Sequence, residues 1–109
     1  MNYITSEDEI KINAGIQAIY FYASWMPYHN KFLNMISKIE DKYKDIKFIA
    51  IDTDNFKNQC KRYSIESIPA VLVFKDGKEI KRIIGLVMTS AFKSVFVDIY
   101  KSWTHQKWR

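Results

Sequence analysis

The sequence predicts an α/β fold with a mixed sheet, on three observations. Strand-like apolar runs alternate with helical stretches; the run from Gln17 to Ala23 is apolar almost without interruption; and Asp76-Gly77 separates the last two strand candidates. Alternation of strands and helices implies parallel pairing. A run apolar on both faces belongs in the middle of a covered sheet. Asp-Gly between two strands is the signal of a tight antiparallel hairpin. The expected order is β-α-β-α-β-α-β-β-α, a central mixed sheet flanked by helices. It fits one domain over residues 1–109, with a core from about 3 to 103 and a frayed tail at 104–109.

Tyr3-Ile4-Thr5 reads as a first strand. Ser6-Glu7-Asp8-Glu9 is a capping-box pattern, predicting a helix from Glu7 to Asn13 that stops at Gly15. After the strand over 17–23, Pro27 falls where a helix can begin, since its missing N–H is an orphan there anyway. Phe32, Met35, Ile36, Ile39 and Tyr43 then recur at helical spacing. Lys47 to Ile51 is a strand ending in Asp52. Asn55 to Tyr63 is a short helix with Phe56 and Cys60 on one face. Ala70 to Phe74 is a strand, and Lys78 to Ile84 returns beside it, with Lys and Arg expected outward and Ile inward, as suits an edge. Phe92, Val95, Phe96, Ile99, Tyr100 and Trp103 mark a last amphipathic helix.

Composition narrows the function classes. The chain has 109 residues, 48% hydrophobic and 16% aromatic, which is enough apolar material for a core. No apolar run is long enough to span a bilayer, so no membrane role is expected. The acidic cluster near the start lacks the layout of a signal peptide, which places the expectation in the cytoplasm. The net charge of +5 is spread over scattered lysines without a basic stripe interleaved by aromatics, so no nucleic-acid partner is expected. A single cysteine, Cys60, excludes an intramolecular disulfide and a multi-cysteine metal site, and fits a reducing compartment. At its helical position Cys60 reads as a core residue rather than a reactive thiol.

The stretch that organises the chain is Phe21-Tyr22-Ala23-Ser24-Trp25-Met26-Pro27-Tyr28-His29. It resembles the active-site segment of the thioredoxin superfamily, where a strand ends in Phe-x-Ala-x-Trp and a Cys-x-x-Cys motif follows. Pro27-Tyr28 match the middle of the Cys-Pro-Tyr-Cys form found in glutaredoxins. Ser67-Ile68-Pro69-Ala70-Val71-Leu72-Val73-Phe74-Lys75-Asp76-Gly77 is similar to a second thioredoxin segment. The resemblance implies a cis proline at Pro69 facing the Met26–His29 turn, with the backbone of Ile68 free to pair with an extended peptide. Gly85 matches the glycine after the last strand that lets a substrate approach.

The departures bear on function. Both cysteine positions are taken, by Met26 and His29, and neither side chain can form a mixed disulfide. A buried Asp beneath the motif in the family is matched by Tyr20, and its Lys partner in bacterial thioredoxins by Phe48. No catalytic residue is therefore named among Met26, Pro27, Tyr28 and His29. The expected function is that of a redox-inactive thioredoxin-like protein that binds extended segments of partner proteins through Trp25, Met26, Tyr28, Ile68, Pro69, Gly85 and Leu86. The resemblance alone would imply a thiol-disulfide oxidoreductase. Met26 and His29 together are also ligand types that copper(I) accepts, although each reads more readily as a packing or helix-start residue. No cofactor is expected.

Overall fold

Seven consecutive residues, Ile16–Tyr22, form strand β2, and the reason for their apolar character lies in what surrounds them. In the computed structural model β2 pairs in parallel with β3 (Lys47–Asp52) and antiparallel with β4 (Ala70–Lys75), so both its edges are filled. Its side chains alternate between two buried clusters: Ile16, Ala18 and Tyr20 on one face, Ile19 and Phe21 on the other. The structure describes residues 1–6, 12 and 14–107, with side chains to residue 102. The helix expected over Glu7–Asn13, with its capping box, lies outside the described residues.

With β1 at Asn2–Tyr3 and β5 at Lys78–Ile84, the sheet has the order β1-β3-β2-β4-β5. β1 is only Asn2–Tyr3, shorter and earlier than the expected Tyr3–Thr5. Ile4 has left the strand, but its amide still donates to the Ala50 carbonyl at 3.1 Å and its side chain is buried. Helix α1 (His29–Lys42) crosses over between β2 and β3 and buries Phe32, Met35, Ile36 and Ile39. Helix α3 (Thr89–Lys107) lies on the same face and adds Phe92 and Phe96. Helix α2 (Lys57–Arg62) covers the opposite face through Phe56, Cys60 and Tyr63. α3 runs on to Lys107, so most of the expected frayed tail is helical; no glycine or proline stands between Thr104 and Lys107 to stop it.

The hairpin forms as expected. Asp76 and Gly77 both take positive φ, 50° and 86°, the backbone that a two-residue turn matching strand twist requires. β5 (Lys78–Ile84) departs from simple alternation. A bulge opposite Val73 and Phe74 leaves Ile80 unpaired, and past it only Ile83 is buried, whereas Ile80 and Ile84 are exposed. The extra residue also turns Glu79 and Arg82 to one face, where they form a bidentate pair at 2.8 and 3.0 Å.

Candidate functional site

The register places the candidate site at one end of the sheet. Phe21 on β2 stands beside Ala70 on β4, which stands beside Ile84 on β5. The turn after β2, the loop before β4 and the loop after β5 therefore emerge at the same end. These carry Trp25 to Tyr28, Ile68-Pro69, and Gly85-Leu86. The Ile68–Pro69 bond is cis, and the Pro69 carbonyl accepts a hydrogen bond from the Gly85 amide at 2.8 Å. Gly85 has φ of 82°, in the region that favours glycine.

The turn is built differently from the expected helix start at Pro27. The Met26 amide bonds to the Ala23 carbonyl at 3.0 Å, and the His29 amide to the Met26 carbonyl at 3.1 Å. Pro27 thus occupies the second position of a four-residue turn, which its fixed φ favours. The first α-helical bond, from Phe32 to Tyr28, forms only after it. His29 is consequently the first residue of α1.

The side chains divide into an exposed set and a buried set. Trp25 is 68% exposed and its indole N–H donates to Asp54 Oδ2 at 2.9 Å. Asp54 is held in turn by its own amide bonding to Asp52 Oδ1, so the tryptophan is tethered to a fixed loop. Tyr28, Ile84, Leu86 and Met88 are also exposed. Ile68 is half-buried and Pro69 buried. Met26 falls on the other side of the division from its expected role: its side chain is buried in the cluster beneath α1 and α3, so it offers little surface to a partner.

His29 is drawn into an aromatic group that sequence reasoning missed. Its ring stacks on Tyr22 at 4.5 Å and 10°, and its Nδ1 lies 3.0 Å from the Tyr20 hydroxyl. Tyr20 is fully buried and stacks on Phe32 at 5.4 Å. Among the described residues its hydroxyl has no other partner. A buried hydroxyl proton needs an acceptor, so Tyr20 donates and Nδ1 accepts, which puts the imidazole proton on Nε2. Burial holds the His29 pKa below its usual 6.5, against an opposing pull from Asp52, and burial raises that of Tyr20. Tyr20 and His29, the residues expected from the resemblance at the buried Asp and second cysteine positions, are thus one hydrogen-bonded pair. Phe48, expected from the resemblance at the position of the Lys partner, is buried against Phe96.

This geometry bears on the alternatives. For copper, Met26 is turned into the core and the Nδ1 of His29 is committed to Tyr20; among the described residues no three His, Cys, Asp or Glu side chains gather as a metal-binding group. For thiol chemistry, Cys60 is half-buried on α2, among the residues that cover the other face, and burial raises its pKa, which disfavours the thiolate. Among the described residues no helix is long and apolar enough to cross a membrane.

Comparison with known proteins identifies the scaffold. Thioredoxin H2 of Arabidopsis thaliana is 32% identical over 78 residues, 72% of this chain, and the aligned region spans 59% of that protein's length. The thioredoxin of Chlamydia trachomatis is 29% identical over 75 residues, covering 69% of this chain and 74% of its own. Oxidised thioredoxin from Plasmodium falciparum superposes with a TM-score of 0.81 at 22% identity, over 90% of this chain and 96% of that one. Since the thioredoxin family profile matches residues 4–103 and the fold is that of its solved structures, the chain belongs to the thioredoxin family.

Proposed function

We propose that this chain is a redox-inactive member of its family that holds extended segments of partner proteins at the Trp25–Pro69 end of the sheet. The observation that carries the reading is the pairing of an exposed apolar surface with the absence of a thiol there. Of the seven large apolar side chains exposed among the described residues, five lie on the turn after β2 or in the segment from Ile84 to Met88. Such clustering marks a contact surface more often than scattered exposure does. The backbone of Ile68 takes part in no hydrogen bond among the described residues, which leaves it available for strand-like pairing with a peptide. Affinity then rests on that pairing and on contact with Trp25, Tyr28 and Leu86, without a covalent step. A reducing compartment such as the cytoplasm suits the lone thiol.

The test is binding of partners recovered from native lysate to wild type, Trp25→Ala and Lys93→Ala. Truncating a central aromatic anchor costs about 2 kcal/mol or more, so Trp25→Ala should weaken a partner by roughly thirtyfold. Lys93→Ala, on α3, should change little. Equal recovery by all three would remove the Trp25–Pro69 end of the sheet as the binding surface. Turnover of insulin disulfides by the unmodified protein above buffer would overturn the redox-inactive part.

A further inference from the structure

The Tyr20–His29 pair has a chemistry that binding a peptide does not use. A phenol that loses an electron becomes a strong acid, and a buried phenol cation without a base is costly. A neutral imidazole already hydrogen-bonded to the hydroxyl removes that cost by taking the proton as the electron leaves. Here the acceptor is in place at 3.0 Å, and the tyrosine is fully enclosed. The imidazolium so formed would be held by the Tyr22 ring face stacked on it and by the nearby Asp52 carboxylate. Burial keeps the hydroxyl protonated and His29 neutral beforehand, so both partners start in the required state.

A route to the surface also exists. Tyr3 is 49% exposed and meets Tyr22 edge-on at 6.2 Å; Tyr22 stacks on Tyr20 at 5.4 Å. Among the described residues neither Tyr3 nor Tyr22 has a base hydrogen-bonded to its hydroxyl, and the Asp52 carboxylate acts on Tyr22 only through space. An oxidation that begins on Tyr3 therefore settles on Tyr20.

We propose that Tyr20 and His29 form a one-electron oxidation site, with Tyr3 and Tyr22 as its path to solvent. The oxidant is a small oxidising radical such as carbonate radical or nitrogen dioxide. It gains one electron and becomes carbonate or nitrite. The O–H bond of Tyr20 breaks, an N–H bond forms at His29 Nδ1, and a neutral phenoxyl remains beside an imidazolium. A one-electron reductant of the ascorbate class restores the phenol, and the proton returns from Nδ1 to oxygen.

The experiment is pulse radiolysis of the full chain with azide radical as oxidant. The phenoxyl signal is followed in time and dityrosine is measured afterwards, for wild type, Tyr20→Phe, His29→Gln and Tyr3→Phe. His29→Gln keeps a hydrogen-bond acceptor but removes the base. In wild type the phenoxyl should outlive that of Tyr20→Phe and of His29→Gln on the order of tenfold, because an enclosed radical meets another only when the site opens. Dityrosine should rise in those two variants, where oxidation stays on exposed rings. Tyr3→Phe should slow arrival of the signal without shortening its life. Equal lifetimes and equal dityrosine in wild type, Tyr20→Phe and His29→Gln would overturn the proposal. Should either variant fail to fold, wild type alone decides: electron paramagnetic resonance either shows a phenoxyl hydrogen-bonded to a protonated imidazole, or shows only solvent-exposed phenoxyls, which refutes the site.

Discussion

His29 is the first residue of α1, and its environment sets how the protein responds to acid. Burial against Tyr22 and Tyr20 holds its pKa below the usual 6.5, the dominant cause, although Asp52 opposes the shift. The unfolded chain therefore takes up a proton near pH 6.5 while the native state resists. The stability contributed by the neutral ring is fully present above that pH and is lost as pH falls through the lower native value. Denaturant midpoints measured at about pH 8 and pH 5 should thus drop more for wild type than for His29→Gln, the other titrating groups cancelling in the comparison. An identical drop in both would mean that His29 titrates as it would in solvent. The resemblance pointed to Tyr20 and His29 at positions where the family has Asp and Cys, but nothing in it indicated that the two touch. That contact depends on how the start of α1 sits over β2 in space, which the nine-residue separation of the two side chains does not reveal.

At the scale of elements, the junction between β2 and α1 brings positions 26 and 29 close together. The His29 amide bonds to the Met26 carbonyl, which closes a four-residue turn and keeps the two Cα atoms within about 7 Å. Disulfides span roughly 4.4–6.8 Å between Cα atoms, so the turn brings these positions into range. Met26→Cys with His29→Cys should oxidise to an internal disulfide, leaving Cys60 as the only thiol that titrates. If all three thiols titrate after mild oxidation, the turn is not shaped for the bond.

The end of α2 shows what the sequence concealed at this scale. Ile65 and Ser64 bond back to the Cys60 and Lys61 carbonyls, a C-terminal motif in which the left-handed position is normally glycine. Ser64 occupies it with φ of 54°, so the usual stop signal was missing. Arg82, turned to this face by the bulge in β5, donates to the carbonyls of Tyr63 and Ser64. Strands and amphipathic helices were legible because their periods are local; the cap was not, because Ser64 stands where glycine is usual and Arg82 reaches its carbonyl from 18 positions away, and the bulge was not, because it is set by how β5 registers against β4. Ser64→Gly should stabilise the chain by up to about 1 kcal/mol in chemical denaturation, relief of the left-handed strain outweighing the added freedom of the unfolded chain. A loss of stability would show that the serine is not strained there.

Across the whole molecule, stability and the candidate surface rest on different residues. The face under α1 and α3 is an aromatic stack running Tyr20, Phe32, Phe92, Phe96 and Phe48, with neighbouring centroids 5.1 to 5.7 Å apart. It joins β2 and β3 to both helices, and Phe96, which links α3 to β3 within it, is fully buried. Truncating a buried phenylalanine costs about 3–5 kcal/mol, a large share of the 5–15 kcal/mol that holds an ordinary domain together. Leu86, 55% exposed beside Gly85, packs against too little for its loss to move stability by more than about 0.5 kcal/mol. Phe96→Ala should therefore lower the melting temperature by on the order of 15 °C, while below its own transition it still binds a partner with nearly unchanged affinity. Leu86→Ala should melt with wild type yet bind that partner more weakly. Calorimetry and titration of both variants check the separation. A Leu86→Ala protein that binds as wild type does would place the contact surface away from the loop after β5, and one that melts early would mean that this loop belongs to the core.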